Sequence, residues 1–323
     1  MTTTLDELER AYDAVEFPDV WDSSGEQQAR RLYTTGSWKR APHTWQRLLR
    51  WSKQFVEYSV PYDSLEFTLC SLEEGMSVDT TMLEPLAGLR IFFRGLYVKP
   101  NGIFLRGFPS NIHSLRKSLE VRRQFSDTTQ LFDVPFLRWT REPSVEVITI
   151  LQKEIQSWNE AYFGELAPYK WTVGEKTFWT PEKIAHRALV AGPDHEKENN
   201  IHTIHTRCQQ GLSSEIDIWF HEEEFWIGHD APRERVTLEF LTSEFLWIHA
   251  KNGEAFYKLQ AISNERGLGL RIFYHTQEHY ALTTVGDTII LPGVPDIDGF
   301  CYMMPEMDRV IPTVAAKICS DFS

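Results

Sequence analysis

Between Pro181 and Ser323 the chain repeatedly sets a short apolar run directly before a charged or imidazole side chain. Ile184-Ala185 leads into His186 and Arg187, Phe225–Gly228 into His229 and Asp230, and Leu246–Ile248 into His249 and Lys251. Arg271–Tyr274 leads into His275, and Lys317–Ser320 into Asp321. The run Ser214–Trp219 carries Glu215 and Asp217 within it, and helical patterns at Ile201–Gln210, Leu238–Phe245 and Glu254–Arg266 separate several of these runs. Strands alternating with helices predict a parallel sheet. Polar groups at the C-terminal ends of many strands are what the active face of a (β/α) barrel requires. The segment is far shorter than the ~250 residues usual for that fold. The expectation is therefore α/β: a compact (β/α) TIM-type barrel with reduced helices over residues 181–323.

The preceding 180 residues carry a different pattern, that of an α+β N-terminal domain. Leu5, Leu8, Tyr12 and Val15 recur at helical spacing, as do Trp45, Leu48, Leu49, Trp51 and Phe55. Residues 1–60 thus read as mostly helical, with an ordered loop from Asp22 to Pro42. Leu65–Leu72, Leu89–Phe93, Leu96–Val98 and Ile103–Leu105 read as strands, the last two joined by the Pro100-Asn101-Gly102 turn. Ile112–Phe125 and Val145–Phe163 read as helices, and Tyr169–Pro181 as the connection between domains.

The formal charge of the 323-residue chain is −13, and the larger part of it falls in residues 183–323. A field of that sign repels a phosphate backbone, which argues against duplex nucleic acid as a partner. An acidic cluster within the second half can instead hold a cation. Of 11 histidines, only His43 and His113 precede His186. Cys70, Cys208, Cys301 and Cys319 are widely spaced with no CxxC pair, which argues against a zinc ribbon or a disulfide framework. No apolar run is long enough to span a membrane. Met1 to Arg10 lacks an apolar signal core, so a cytoplasmic location is expected.

In Glu215-Ile216-Asp217 the two carboxylates stand at i and i+2 of a predicted strand, so they point to one face. Two anionic oxygens on a rigid strand suit Mg²⁺ or Ca²⁺. A solvated strand face accounts for most such triplets, but here Ile216, Ile218 and Trp219 flank the carboxylates. His186 and His229 can divide the roles of proton acceptor and donor in a phosphodiester reaction. Arg187 and Lys251 can bind non-bridging phosphate oxygens. Asp230, His275 and Asp321 are further strand-end groups at the same expected face.

His186-Arg187, then Glu198-Asn199, then Glu215-Ile216-Asp217, then Gly228-His229-Asp230 resembles the glycerophosphodiester phosphodiesterase signature in order and spacing. Trp247-Ile248-His249-Ala250-Lys251-Asn252 falls where that family carries a Glu-x-Lys strand. Ile318-Cys319-Ser320-Asp321-Phe322 resembles its closing strand. His275 to Pro292 with Met304-Pro305-Glu306 looks like a short branch of the same superfamily, and the resemblance covers about residues 183–323. It implies a metal-dependent phosphoric diester hydrolase with Glu215 and Asp217 on the metal, His186 and His229 as the acid/base pair, and Glu198 and Asn199 in support. Two departures stand out. The glycine that usually follows His-Arg is Ala188, which crowds the first loop. The usual third ligating carboxylate is His249, a softer donor that shifts preference from Ca²⁺ toward Mn²⁺ or Zn²⁺. The cofactor implied is a divalent metal, Mg²⁺ first, and the substrate a small-molecule phosphodiester, an RNA end included. A phospholipase-like lyase that forms a cyclic phosphate and a non-catalytic phosphate-binding module are the alternatives.

In the N-terminal domain, Leu65-Glu66-Phe67-Thr68-Leu69, Ile103–Phe108 and Val134-Pro135-Phe136-Leu137 resemble the two-histidine phosphoesterases related to RNA ligase-like cyclic phosphodiesterases. That family carries His-x-Thr/Ser twice. Glu66 and Val134 stand where its histidines would, so no catalysis is expected there. Trp38, Trp45, Trp51, Phe92 and Phe93 read as core. Arg30-Arg31, Lys39-Arg40, Arg116, Lys117, Arg122 and Arg123 read as an anionic-ligand surface or as solvated faces.

Overall fold

The computed structural model of the chain describes residues 4–23, 30–35, 38–62, 65–73, 75–125, 131–275, 279–295, 297–309 and 312–323. It divides into two compact units, Met1–Thr180 and Pro181–Ser323.

The first unit contains β1 (Arg31–Thr34), β2 (Trp38–Arg40), β3 (Ser59–Pro61), β4 (Phe67–Ser71), β5 (Ile91–Lys99), β6 (Gly102–Pro109), β7 (Phe132–Trp139), β8 (Tyr162–Leu166), β9 (Lys170–Val173) and β10 (Lys176–Trp179). They form two antiparallel sheets, in the orders β10-β9-β1-β4 and β2-β8-β5-β6-β7-β3. One hydrophobic core joins both sheets to the helices Leu5–Asp13, Pro42–Ser52, Ile112–Gln124 and Val145–Glu154. Four sequence expectations need correction here. Within the expected loop Asp22–Pro42, residues 31–34 and 38–40 are strands, while residues 24–29 and 36–37 lie outside the described residues. The helix from Val145 ends at Glu154, passes through a 3₁₀ turn at Ile155–Trp158 and gives way to β8. The expected linker Tyr169–Pro181 is the β9–β10 hairpin, with Trp171 in the core. Arg122 is no surface cation: it is 1% exposed, bonded to the Leu69 and Leu131 carbonyls and stacked on Phe132.

The second unit is built on β11 (Glu182–Ala185), β12 (Ser213–His221), β13 (Glu224–Ile227), β14 (Glu234–Val236), β15 (Leu246–Ala250), β16 (Arg271–Phe273), β17 (Tyr280–Leu282), β18 (Thr288–Ile290), β19 (Cys301–Met303) and β20 (Lys317–Ser320). A parallel run, β16-β15-β12-β11-β20-β19-β18, forms a curled sheet, and β17 joins β18 antiparallel. The period of two sorts the side chains. Ile216, Ile218 and Ile248 pack with Ile204 and Leu259 of the helices Ile201–Gln209 and Gly253–Arg266. Ile184, Trp247, Phe273, Cys301 and Cys319 pack together in a separate cluster. Glu215, Asp217 and His249 share parity with that inner set.

The mixed α/β class holds, but the sheet is not a closed barrel among the described residues. Among the described residues no ladder joins β16 to β17; Thr284 reaches across, its N–H donating to the Ile272 carbonyl at 2.9 Å. A second correction concerns Phe225–Gly228. It is not a further parallel strand but an antiparallel hairpin partner of β12, extended by β14. The reason lies in the length of β12. Its first residues pair with β11, and its last four project beyond and take β13 on the same edge. No helix among the described residues is long and apolar enough to cross a membrane. All four cysteines are free.

Candidate metal and phosphate site

The backbone just after β11 sets up the site. Arg187 and Ala188 both take positive φ, 49° and 63°, a region that costs a residue with a Cβ energy and that glycine enters freely. Ala188 therefore supplies the turn under strain rather than by steric crowding. The turn lets the Arg187 N–H donate to Glu215 Oε2 at 3.0 Å while its guanidinium reaches Glu198 Oε2 at 2.8 Å and Asp217 Oδ2 at 3.4 Å. Asn199, also at positive φ, holds β12 at Asp217. It donates to Asp217 Oδ2 at 2.9 Å and accepts from the Asp217 N–H at 3.0 Å.

Glu215 and Asp217 are each 1% exposed. In register beside them on β15, His249 places Nδ1 at 3.0 Å from Asp217 Oδ1 and 3.7 Å from Glu215 Oε1. One ligand atom from each of the three residues lies within 4.8 Å of the others. Lys251, two residues on, points its ammonium at Asp217 Oδ1, 3.2 Å away. Asn252 then caps the helix Gly253–Arg266 and bonds both the N–H and the C=O of Phe220, tying β15 to β12. His275 stacks on the His249 ring at 4.6 Å, and Phe273 stacks there at 4.9 Å.

His186 bonds through Nδ1 to Asp321 Oδ1 at 2.8 Å, and its Nε2 stands 3.9 Å from Glu215 Oε2. Asp321 is held in turn by its own N–H, which donates to Glu306 Oε1 at 2.9 Å. His229 sits differently. Gly228, at φ +150° with no room for a Cβ against the Ala231 carbonyl, donates its N–H to the Asp217 carbonyl at 3.1 Å. The turn into His229 thus arrives on the β12 edge that also pairs with β11, which leads into His186. The His229 ring, however, turns to Asp230, at 2.7 Å, and Asp230 is itself largely exposed. Among the described residues no hydrogen bond or ring contact joins His229 to His186, Glu215 or Asp217.

Burial sets the electrostatics. It raises the Glu215 carboxyl, and the charge of Asp217 raises it further. Burial would also raise Asp217, but the His249 hydrogen bond and the Lys251 charge outweigh it and hold Asp217 below the usual carboxylate range. Burial pushes His249 down to about 4, so its imidazole is neutral near pH 7. At His186 burial opposes the charged form, yet the Asp321 hydrogen bond and Glu215 prevail and raise its pKa. Two anionic oxygens and a neutral imidazole make a donor set that fits a divalent cation. Lys251 and Arg187 compete for the same Asp217 oxygens.

No known family model matches this chain, and no curated protein matches its sequence.

Every residue named from the sequence can now be placed. His186, Arg187, Glu198, Asn199, Glu215, Asp217, His249, Lys251 and Asp321 form one connected network, and His275 joins it by stacking. His229 and Asp230 stand at its margin as a separate pair. Sequence reasoning gave Glu306 no role, although its carboxylate anchors Asp321. No pattern in the sequence signals that contact, because Glu306 lies outside any strand, on the short helix Pro305–Asp308 that opens after the left-handed Met304.

Proposed function

We propose that the Pro181–Ser323 unit is a divalent-metal-dependent phosphodiester hydrolase of the glycerophosphodiester-phosphodiesterase type. The observation that carries this reading is the joining of three kinds of group in one network. A buried carboxylate pair with an imidazole stands ready for a cation, two cationic side chains lie beside it, and a second imidazole backed by a carboxylate faces it.

His186 is the proton-transfer group. Its Nδ1–H bond to Asp321 selects the tautomer and leaves Nε2 directed into the site, while the raised pKa supports the imidazolium that forms when it accepts a proton. Arg187 and Lys251 draw the non-bridging oxygens and neutralise charge that develops on them. His229, part-exposed at the margin and paired with Asp230, is the residue we assign to proton exchange with the departing alcohol. A divalent cation held by Glu215, Asp217 and His249 supplies Lewis-acid neutralisation of the phosphoryl oxygens when bound.

A screen of glycerophosphodiesters, lysophospholipids, cyclic nucleotides and RNA ends, each with Mg²⁺, Mn²⁺ or Ca²⁺, tests the reading. Turnover should require a metal and cease with chelator. On a diester with a poor leaving group, His186→Ala should lower kcat by about 10²–10⁴-fold with little change in KM. A linear monoester product means hydrolysis, and a cyclic phosphate means the lyase reaction. One observation favours a second reading, a non-catalytic phosphate-binding module: Asp217 already satisfies Asn199, His249, Lys251 and Arg187 without a metal. Phosphate binding that survives chelation, with no turnover on any diester, would support that reading and reject the first.

A further inference from the structure

In the first unit the helix Pro42–Ser52 and the segment Val145–Trp158 border a cavity of about 550 Å³. That volume falls within the range of small-molecule sites. Arg47, Arg50 and Trp51 line it from one helix at i, i+3 and i+4, and Lys153, Glu154 and Trp158 from the other side. Its floor is rigid. Trp51 and Trp158 pack at 5.4 Å, Trp51 rests on Phe55, and Trp158 stacks on Phe163. The Arg47 guanidinium lies over the Trp158 ring, 4.2 Å from its centroid, a contact that steadies it before any ligand arrives.

The charge is one-sided. Glu154, the one carboxylate among the lining residues, accepts the Trp51 Nε1–H at 2.6 Å. Among the described residues, Arg47, Arg50 and Lys153 form no ion pair. Three exposed cations against one carboxylate leave the lining net positive in a chain of net charge −13.

We propose that this cavity binds a compact polyanion of the polyphosphate class. Several negative charges match three convergent cations, and guanidinium forks suit phosphoryl oxygens. An RNA strand fits less well, because base stacking needs an open aromatic face and Arg47 and Phe163 already pack on the Trp158 ring. The site lies wholly within the first unit and is independent of the network around Asp217.

Calorimetric titration of the full chain with sodium tripolyphosphate, metal-free, tests the proposal. Saturable one-site binding is expected, weakening as salt is added. Arg50→Glu should weaken it about tenfold or more, since a charge-assisted bond is lost and a like charge gained. Arg47→Lys should also weaken it, because an ammonium keeps the charge but loses the stacked fork. Lys251→Ala, which alters only the second unit, should leave the Arg50-dependent binding unchanged. Arg50 is exposed, so a native melting curve for Arg50→Glu is expected and confirms that the fold is intact. Absence of saturable binding at millimolar tripolyphosphate would overturn the proposal. So would unchanged affinity in natively folded Arg50→Glu, or loss of binding in Lys251→Ala, which would assign the anion to the second unit.

Discussion

Replacing Asp217 with asparagine removes one charge and almost no volume from the centre of the network. Its carboxylate is 1% exposed, with Asn199, His249, Lys251 and Arg187 at 2.9, 3.0, 3.2 and 3.4 Å. Removing one partner from a buried charge pair typically costs ~3–5 kcal/mol, because the other charge is left uncompensated. Lys251 and Arg187 retain 14% and 17% side-chain exposure, and Arg187 keeps its bond to Glu198. The expected loss is therefore at the low end, about 3 kcal/mol. For a unit of this size that lowers Tm by about 10 °C in the presence of chelator. Adding Lys251→Met should recover much of the loss, since the stranded cation goes too. Asp217 has a lowered folded pKa, so its contribution is present above the ordinary carboxylate pKa and is lost as pH falls through the folded value. The gap between wild type and variant should narrow in acid. Wild type should also gain about 2.7 kcal/mol from a metal at a hundred times its Kd, and the variant should gain none. Thermal unfolding with chelator and with Mn²⁺ or Mg²⁺ reads all of this. An Asp217→Asn chain that melts with wild type in chelator and keeps its metal increment would refute both the charge-hub and the metal-ligand arguments.

Metal binding should release protons. Burial and Asp217 raise the Glu215 pKa, so the metal-free chain keeps a proton on Glu215 above the ordinary carboxylate range, and an incoming cation expels it. Calorimetric enthalpies of metal binding at mildly acidic pH should differ between buffers of unlike ionisation enthalpy, and affinity should rise with pH; equal enthalpies in both buffers would contradict this. Without metal, the Glu215 contribution to stability is full below the ordinary carboxylate pKa and fades as pH rises through the raised one. In the first unit, Glu66 pairs with Arg31 at 3.3 Å on a half-exposed surface, so Glu66→Gln should leave turnover of a small diester nearly intact. A large loss with the fold preserved would move part of the chemistry into residues 1–180.

The legible part of this site obeyed a period of two. Glu215 and Asp217 stand two apart on β12, and His249 and Lys251, like Phe273 and His275, keep that spacing from the ends of β15 and β16 into the residues just beyond. Arg187 was legible as a strand-end cation but not as a turn residue, and Ala188 and Asn199 only through the resemblance, because positive φ at residues with a Cβ leaves no mark in apolar periodicity. Strand direction was not legible either. Phe225–Ile227 carries the same kind of apolar run as a parallel strand, and what makes it an antiparallel hairpin is the overhang of β12 past β11. Barrel closure fails to show for a related reason: it depends on whether β16 finds a ladder partner, and among the described residues Thr284 makes the crossing to it.

The N-terminal errors share one physical cause. Trp171 and Arg122 each sit in segments whose composition reads as surface or linker, Lys170 to Lys176 in one case and Arg122-Arg123 in the other. Tertiary packing decides both. Trp171 is buried because β9 pairs not only with its hairpin partner β10 but also with β1, far earlier in the chain at Arg31–Thr34. Arg122 is buried because its guanidinium satisfies two carbonyls and covers the Phe132 ring, which offsets the cost of desolvating its charge. A buried cation with carbonyl partners looks, in sequence, the same as an exposed cation awaiting an anion. Arg47 and Arg50 belong to the second kind for a reason the sequence likewise hides: the side chains across their groove are a lysine, a tryptophan and a glutamate already bonded to Trp51.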